Sequence, residues 1–268
     1  AVDIRDAASQ MGTAAGALYG NKQPGSIAPE EKSIALLNDA LKKLQALKDK
    51  VDNQLKNKAL AEYIKQYKAI RADQQAIKKA ADGVETKRAA AVDHQIDRFG
   101  LIELAKQGTT QANLMDQVTS LSSDAQLKPY DVVIWMNGIV DESMTESREL
   151  LSKAQTGKRM ASAQQNAIDR LTDIINALTA EQKRSEFQGG GGGGGGGGKP
   201  PLVPPLAQLM LLKSMQVLVN NQTVAVAGEL KGTTTAADQA DLQRQASTLT
   251  RRQNEIRVIA AKIAKQMQ

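Results

Sequence analysis

Few side chains in this sequence could do chemistry. The only histidine, His94, lies in the stretch AVDHQIDRF between Asp93 and Asp97. On a helix, a histidine and an acid three residues later share a face, and such a pair can hold a metal or act in proton transfer. A metal site needs more ligands than these, and any nucleophilic triad would depend on this one imidazole. We therefore interpret His94 as an ordinary residue of a helix surface or core edge.

Paired acids are the second candidate for chemistry. Asp141 adjoins Glu142, and Glu146 lies three residues before Glu149. Paired carboxylates can do general acid–base work when their surroundings shift their pKa values, but nothing here indicates burial. We interpret them as a solvated helix face. The chain has no Cys, which excludes disulfides and cysteine metal sites. The sequence thus predicts a protein that is not an enzyme, with no catalytic, metal or cofactor-binding residues.

A run of ten glycines, 189–198, is followed by Lys199 and two prolines. A phosphate-binding P-loop needs the spacing GxxxxGK[ST] between a strand and a helix, whereas here Pro200 follows the lysine and no strand is predicted. We interpret the glycines as a flexible tether with a reach of about 15–20 Å. The stretch KPPLVPP should stiffen its exit as polyproline II. An engineered linker joined through SEF is the alternative origin.

The composition predicts an all-α fold of antiparallel helical hairpins and coiled coils. Apolar residues make up 41% of the 268 residues, but aromatic residues only 3%. Long helices that meet along narrow seams suit this composition better than a thick globular core. No stretch of about 18 consecutive apolar residues occurs, so we expect no membrane-spanning helix.

Two heptad seams follow one another in the first third of the chain. The first steps by threes and fours, with Lys48 in its one gap, through Ile34, Leu37, Leu41, Leu44, Val51 and Leu55. The second, with Gln74 in a polar slot, runs through Leu60, Tyr63, Tyr67, Ile70, Ile77, Ala81 and Val84. The seams could close as an antiparallel hairpin around KNK. They could equally form one long helix, because neither Pro nor Gly interrupts residues 30–82.

Further helices are predicted along the rest of the chain. We expect helices over 2–18, 85–106, 110–124, 129–157, 158–184, 204–231 and from the cap at Thr234 or Thr235 to the end. The 85–106 helix should turn Val92, Ile96, Phe99 and Ile102 inward and break at QGTTQ. Pro29 should lie in the first turn of its helix. The predicted divisions are an N-terminal helix and loop (1–28), a helical bundle (29–184), a Gly/Pro-rich linker (185–203) and a C-terminal hairpin (204–268).

The helix after the prolines carries a broad apolar stripe between residues 206 and 226. It must pack on the first domain, the last helix or a partner. A partner-docking face is predicted at Leu206, Leu209, Met210, Leu212, Met215 and Val219. Trp135 and Met136 also lie on an apolar face, where core packing is the simpler interpretation and a recognition anchor the alternative.

The chain is mildly basic, with a net charge of +6. The last helix has basic residues beside a heptad seam, and the predicted anion-contacting residues are Arg244, Arg251, Arg252 and Arg257. Aromatic residues that would stack on bases are not interleaved with them, so we do not expect nucleic-acid binding. The solvated flank of a coiled coil is the simpler interpretation. A binding module for anionic polymers, nucleic acid or lipid headgroups, is the alternative function.

A family resemblance joins these elements. LLSKAQTGKRMASAQQNAIDRLTDIINAL, the glycines and KPPLVPPLAQLMLLKSMQVLVNNQT resemble a group of uncharacterised helical bacterial cell-envelope proteins. The resemblance covers most of residues 28–231 and is most specific over 151–223. It implies an exported, periplasmic protein without an assigned activity, and it links such proteins to proton-channel complexes of the Tol/Exb type. It supplies no catalytic residue.

These observations predict a structural or protein-interaction scaffold of the bacterial envelope. Its partner would be another protein or a second copy, and membrane contact would be peripheral or through segments outside this chain. Because the chain begins at Ala1 rather than Met, we expect that it was processed, tagged or cut from something longer, and its first residues show no signal segment. The last helix keeps its heptad phase to the final residue, which suggests that the native chain continues.

Overall fold

A computed structural model describes residues 2–20, 24–187, 201–232 and 236–267. Within these ranges the chain forms seven helices and no strand, which confirms the all-α class. The helices are α1 (Val2–Tyr19), α2 (Pro24–Ala90), α3 (Arg98–Ser123), α4 (Asp131–Ser152), α5 (Lys158–Phe187), α6 (Pro205–Gly232) and α7 (Ala236–Gln266). The glycine run and the expected caps Thr234 and Thr235 lie outside the described residues.

The described residues belong to two units. Unit 1 holds α1 and the part of α2 up to Lys56. Unit 2 holds α2 from Asn57 onward together with α3 to α7. The last two helices thus share a unit with α3, α4 and α5.

Unit 1 is an antiparallel pair of helices held by small side chains. The Lys43 ammonium donates to the Asp3 carboxylate at 2.7 Å, which places the start of α1 beside the middle of this part of α2. The buried residues are small and recur at a spacing of seven, namely Ala7, Ala14, Ser33 and Ala40. Side chains of this size let two helices approach closely, but they bury little apolar surface.

The two seams of α2 join in one helix of 67 residues, so the hairpin alternative is wrong and the long-helix alternative is confirmed. α2 also begins earlier than expected, at Pro24, which leaves Pro29 inside the helix rather than in its first turn. Because Pro29 has no N–H, α2 lacks one backbone hydrogen bond near its N-terminal end. The Ser33 hydroxyl donates to the Pro29 carbonyl at 3.0 Å in the next turn.

The chain leaves the helix at residues 91–97, where the sequence predicted helix. His94 has φ 51°, the left-handed region, so it cannot continue α2. The Asp97 carboxylate accepts from the Gly100 N–H at 2.7 Å and caps α3. A Cβ at Gly100 would lie 2.7 Å from the Ile96 side chain, so only glycine fits this close turn.

The predicted inward face of an 85–106 helix is therefore wrong. Val92, Phe99 and Ile102 are exposed, and only Ile96 packs partly against the core. The predicted break at QGTTQ is also wrong, because α3 continues through Gly108. A Cβ at Gly108 would lie 3.9 Å from the Leu151 Cβ, so the glycine lies where another helix comes near.

α4 confirms the helical interpretation of DVVIWM and ends at Ser152, before the predicted Gly157. The end is a Schellman turn, in which the Gln155 N–H donates to the Leu150 carbonyl at 2.9 Å and the Ala154 N–H to the Leu151 carbonyl at 3.1 Å. Ala154 takes the left-handed position, φ 50°, that glycine usually occupies.

The core of unit 2 lies among all six of its helical segments. α4 packs against α3, α5 and α6, and α6 also packs against α5 and α7. The largest fully buried side chains come mainly from α2 to α5 and include Leu60, Tyr67, Ile70, Ile77, Leu104, Leu114, Met136, Met144, Leu151, Leu171 and Ile174. Burying one such side chain stabilises the fold by about 1.5–3 kcal/mol.

Hydrogen-bonded polar side chains cross this core. The amides of Gln74 on α2 and Gln111 on α3 exchange two hydrogen bonds, at 3.1 and 2.7 Å. The Ser147 hydroxyl on α4 donates to the Oε1 atom of the Gln111 side-chain amide at 3.2 Å. Two turns earlier on α2, the Tyr67 hydroxyl donates to the Asn137 side-chain oxygen at 3.0 Å. Each pair fixes one helix register, since a shifted helix would leave buried polar groups unpaired.

Glu85 ties the end of α2 to the loop between α4 and α5. Its carboxylate accepts from the Arg88 guanidinium at 2.8 and 2.9 Å and from the Thr156 hydroxyl. These donors, Arg88 first and Thr156 second, lower the pKa of Glu85 from its usual 4.5 to about 2. Because the folded protein then binds fewer protons than the unfolded one, this stabilisation is present above about pH 4.5 and is lost as the pH falls toward 2.

We expect Glu85→Gln to lower the free energy of unfolding of unit 2 by about 1 kcal/mol at pH 7, because a partly exposed charged hydrogen bond is lost. At pH 3 the difference from the wild type should shrink. Urea denaturation of both proteins at the two pH values measures it. The Tyr63 hydroxyl also lowers the pKa of Asp124. Because Asp124 is present in both proteins, its pH dependence cancels when their free energies of unfolding are compared. A difference that does not change with pH would contradict the assignment.

Candidate interaction surfaces

His94, Asp93 and Asp97 stabilise the turn at 91–97. The Asp93 carboxylate accepts from the Gln95 N–H at 3.1 Å, while Asp97 caps α3. The His94 carbonyl lies 3.4 Å from a guanidinium nitrogen of Arg88. These acids therefore satisfy backbone groups. Among the described residues, no group of three or more histidines and acids could hold a metal ion.

Two of the candidate acids of α4 lie in ion pairs with other helices. Glu142 pairs with Arg252 of α7, and Glu146 with Arg159 at 2.7 Å. Burial, and then the neighbouring charge of Glu142, raises the pKa of Asp141. The two ion pairs link α4 to α7 and to the start of α5.

Trp135 lies at the edge of the core, at the contact between α4 and α7. Its indole N–H donates to the Glu255 carboxylate at 2.9 Å, and its ring packs partly against the core. Its neighbour Met136 is fully buried. Core packing, the simpler interpretation of both residues, thus holds for Met136. Trp135 packs one side of its ring on the core and uses its indole N–H in a hydrogen bond at the surface.

A shallow groove of about 770 Å³ runs between α4 and α7 beside Trp135. Its floor is apolar, from Ile134, Trp135, Val258 and Ile259. Asp131 and Lys262 pair across it, while Arg251 lies 3.8 Å from Glu255 on α7. The charged groups at the groove thus have partners within the chain.

The expected docking residues of α6 point to both sides of the helix. Met215 and Val219 are buried, and Leu212 is partly buried against the core. Leu206, Leu209 and Met210 remain 37–40% exposed. Much of the stripe is therefore used inside unit 2, against α4, α5 and α7. Sequence reasoning missed Leu211 of α6, which is fully buried.

The four expected anion-contacting arginines do not form one patch. Arg244 and Arg251 are seven residues apart and share an exposed face of α7. Arg252 is turned about 100° from them, and its side chain donates to Glu142 and, at 2.9 Å, to Gln222. Arg257 is exposed on a third side.

A row of large exposed apolar side chains lies in unit 1. We call it the hairpin face and define it as Ile4, Met11 and Leu18 of α1 with Ile27, Ile34, Leu37, Leu41 and Leu44 of α2. Each of these side chains is between 39 and 64% exposed. The last two residues of the first seam, Val51 and Leu55, are exposed as well. Monomeric proteins rarely leave so many large apolar side chains in one area without a function.

Helix geometry places both stripes on the same side of unit 1. The exposed stripe lies beyond the buried small residues by about 50° on α1 and about 80° on α2, counted in the direction of the chain. Because the two helices are antiparallel, rotations of the same sense along each chain bring both stripes to one side. The hairpin face is consequently one continuous surface of two helices. Sequence reasoning found the α2 stripe but missed Ile4, Met11 and Leu18, although their spacing of seven was available.

Comparisons with protein families, with characterised proteins and with solved structures find no match for this chain. None of the helices among the described residues has the length and apolar content needed to cross a bilayer.

Proposed function

We propose that this protein is a non-enzymatic scaffold that works by binding other protein surfaces through its helices. The observation that carries the proposal is the hairpin face. Its heptad spacing is the spacing of a coiled-coil seam, yet its large side chains have no cover among the described residues. The same spacing in the second half of α2 gives Leu60, Tyr67 and Ile77, which are fully buried.

The contrast between the two halves of α2 supports different roles for the two units, with binding by unit 1 and structural stability from unit 2. Unit 2 has its own apolar core and polar hydrogen bonds, so it provides a stable body. The buried side chains of unit 1 are alanine and serine, so its largest apolar side chains contribute little to its own fold. An amphipathic layer of this kind becomes stable when another layer covers it.

The proposed location is the bacterial envelope, as a periplasmic or otherwise exported protein. The support is the sequence resemblance over 151–223. A role beside a proton-channel complex of the Tol/Exb type belongs to the same proposal and has the same support.

Affinity capture with the intact chain from bacterial envelope extract tests the proposed function. We expect a protein partner or a second copy to be retained by the wild type. Retention should fall at least about tenfold when Leu41 and Met11 are both replaced by Asp, because carboxylates would enter an apolar interface. The matched control replaces Ala46 and Ser9 by Asp, which adds the same charge on exposed positions away from the face. No retained protein, together with a monomeric mass at high concentration, would contradict the proposal.

A further inference from the structure

We propose that the occupant of the hairpin face is a second copy of this chain, and that two hairpins form an intermolecular four-helix bundle. The inference rests on the proposed function, because it identifies the partner of the same surface. Each hairpin would supply one layer, and the apolar stripes of both copies would meet along the bundle axis.

The area of the face fits a stable dimer. Its eight large side chains are 39–64% exposed. They offer on the order of 700 Å² of apolar surface per copy, close to the roughly 800 Å² that each partner contributes to a standard interface. Neither helix could bury this surface against the other, because they contact each other through Ala7, Ala14, Ser33 and Ala40 on an adjacent side.

The spacing of the face also fits a bundle of like helices. The α2 stripe steps by four and three through Ile34, Leu37, Leu41 and Leu44. This is the pattern that packs as knobs into holes at about 20° between helices, as in four-helix bundles. A two-fold axis through the face would bring identical surfaces together, which is how most homodimers assemble.

The border of the face permits two identical copies to meet. The nearest flanking positions on the outer side are Ala8 and Ala15 on α1 and Glu31, Asn38 and Gln45 on α2. Glu31 alone among them is charged and lies at the N-terminal end of the α2 stripe, so two copies can approach along the middle of this border without like charges facing each other. Within the α2 stripe, Glu30 and Lys48 take heptad positions at its two ends and carry opposite charges.

Light scattering of the intact chain after size exclusion, over a range of concentrations, tests the inference. We expect a mass of twice 28.7 kDa at high concentration. Leu41→Asp and Met11→Asp, on different helices, should each raise the dimer dissociation constant at least about tenfold. Ala46→Asp and Ser9→Asp should leave it unchanged. The substituted leucine and methionine are about half exposed in the single chain. Unchanged circular dichroism will show that each variant keeps its helices, and unchanged Trp135 fluorescence will show that unit 2 is folded.

A wild-type chain that stays monomeric at all concentrations would overturn the inference. A dimer that both face variants leave intact would overturn it too, since the contact would then lie elsewhere. A monomeric chain that captures a different protein through Leu41 and Met11 would refute the second copy as occupant and leave the proposed scaffold function standing.

Discussion

Replacing Leu211 by Asp is expected to detach or unfold the C-terminal helices, at a cost of more than about 4 kcal/mol. Leu211 of α6 is fully buried, where α6 packs against α5, α7 and α4. The substitution removes a large apolar side chain and requires a carboxylate to be buried without a partner or the helix to leave its place. Natural domains are stable by about 5–15 kcal/mol, so this loss is a large share of the total.

Leu209→Asp is the matched control, because Leu209 lies on the same helix and is 39% exposed. It should cost no more than about 1 kcal/mol. The single Trp of the chain provides the readout, since the Trp135 indole donates to Glu255 of α7. Fluorescence during urea denaturation should show an earlier transition and a red-shifted emission for Leu211→Asp alone. Similar denaturation midpoints for the two variants would contradict the assignment of buried and exposed sides of α6.

Gln111→Leu should destabilise unit 2 by about 2–4 kcal/mol although it makes the core more apolar. The substitution leaves the buried amide of Gln74 without its two reciprocal bonds and the Ser147 hydroxyl without its acceptor. The double variant Gln74→Leu with Gln111→Leu should recover more than half of the loss, because it removes the stranded amide. Free energies of unfolding from urea curves give both values.

Gln164→Leu is the control for this prediction. Gln164 is also fully buried, but its amide atoms have no hydrogen-bond partner among the described residues. Its replacement should therefore be neutral or stabilising by about 1 kcal/mol. Equal shifts in stability for Gln111→Leu and Gln164→Leu would contradict a stabilising role of the hydrogen bonds between Gln74 and Gln111.

The sequence predicted the helical class and most helix positions because apolar spacing reports directly on helix faces. It did not predict the turn at 91–97, which contains neither Gly nor Pro and depends on a left-handed His94. It also interpreted Gly108 as a break, whereas that glycine lies near Leu151 inside a continuous helix. The surroundings of Gly108 depend on a helix far away in the chain, whereas the turn at 91–97 is held by local hydrogen bonds, such as that of Arg88 to the His94 carbonyl.

The same limit applies to the candidate surface. The two seams of α2 have similar spacing, and nothing local separates Leu41, which is 64% exposed, from Tyr67, which is fully buried. The difference arises because α3 and α4 supply partners such as Gln111 and Asn137 to the second half of α2. The α6 stripe shows the converse, since part of a predicted docking face is covered within its own unit.

Hydrogen exchange of the intact chain at low and high protein concentration tests the central claim most directly. The account predicts that amides of α1 and of residues 27–55 exchange more slowly as the concentration rises or a partner is added. Amides of α3, α4 and α5 should not change, since the core of unit 2 is complete without a partner. Protection that appears only in unit 2, or no dependence on concentration and partner in α1 and residues 27–55, would contradict the claim that the hairpin face is the interaction surface.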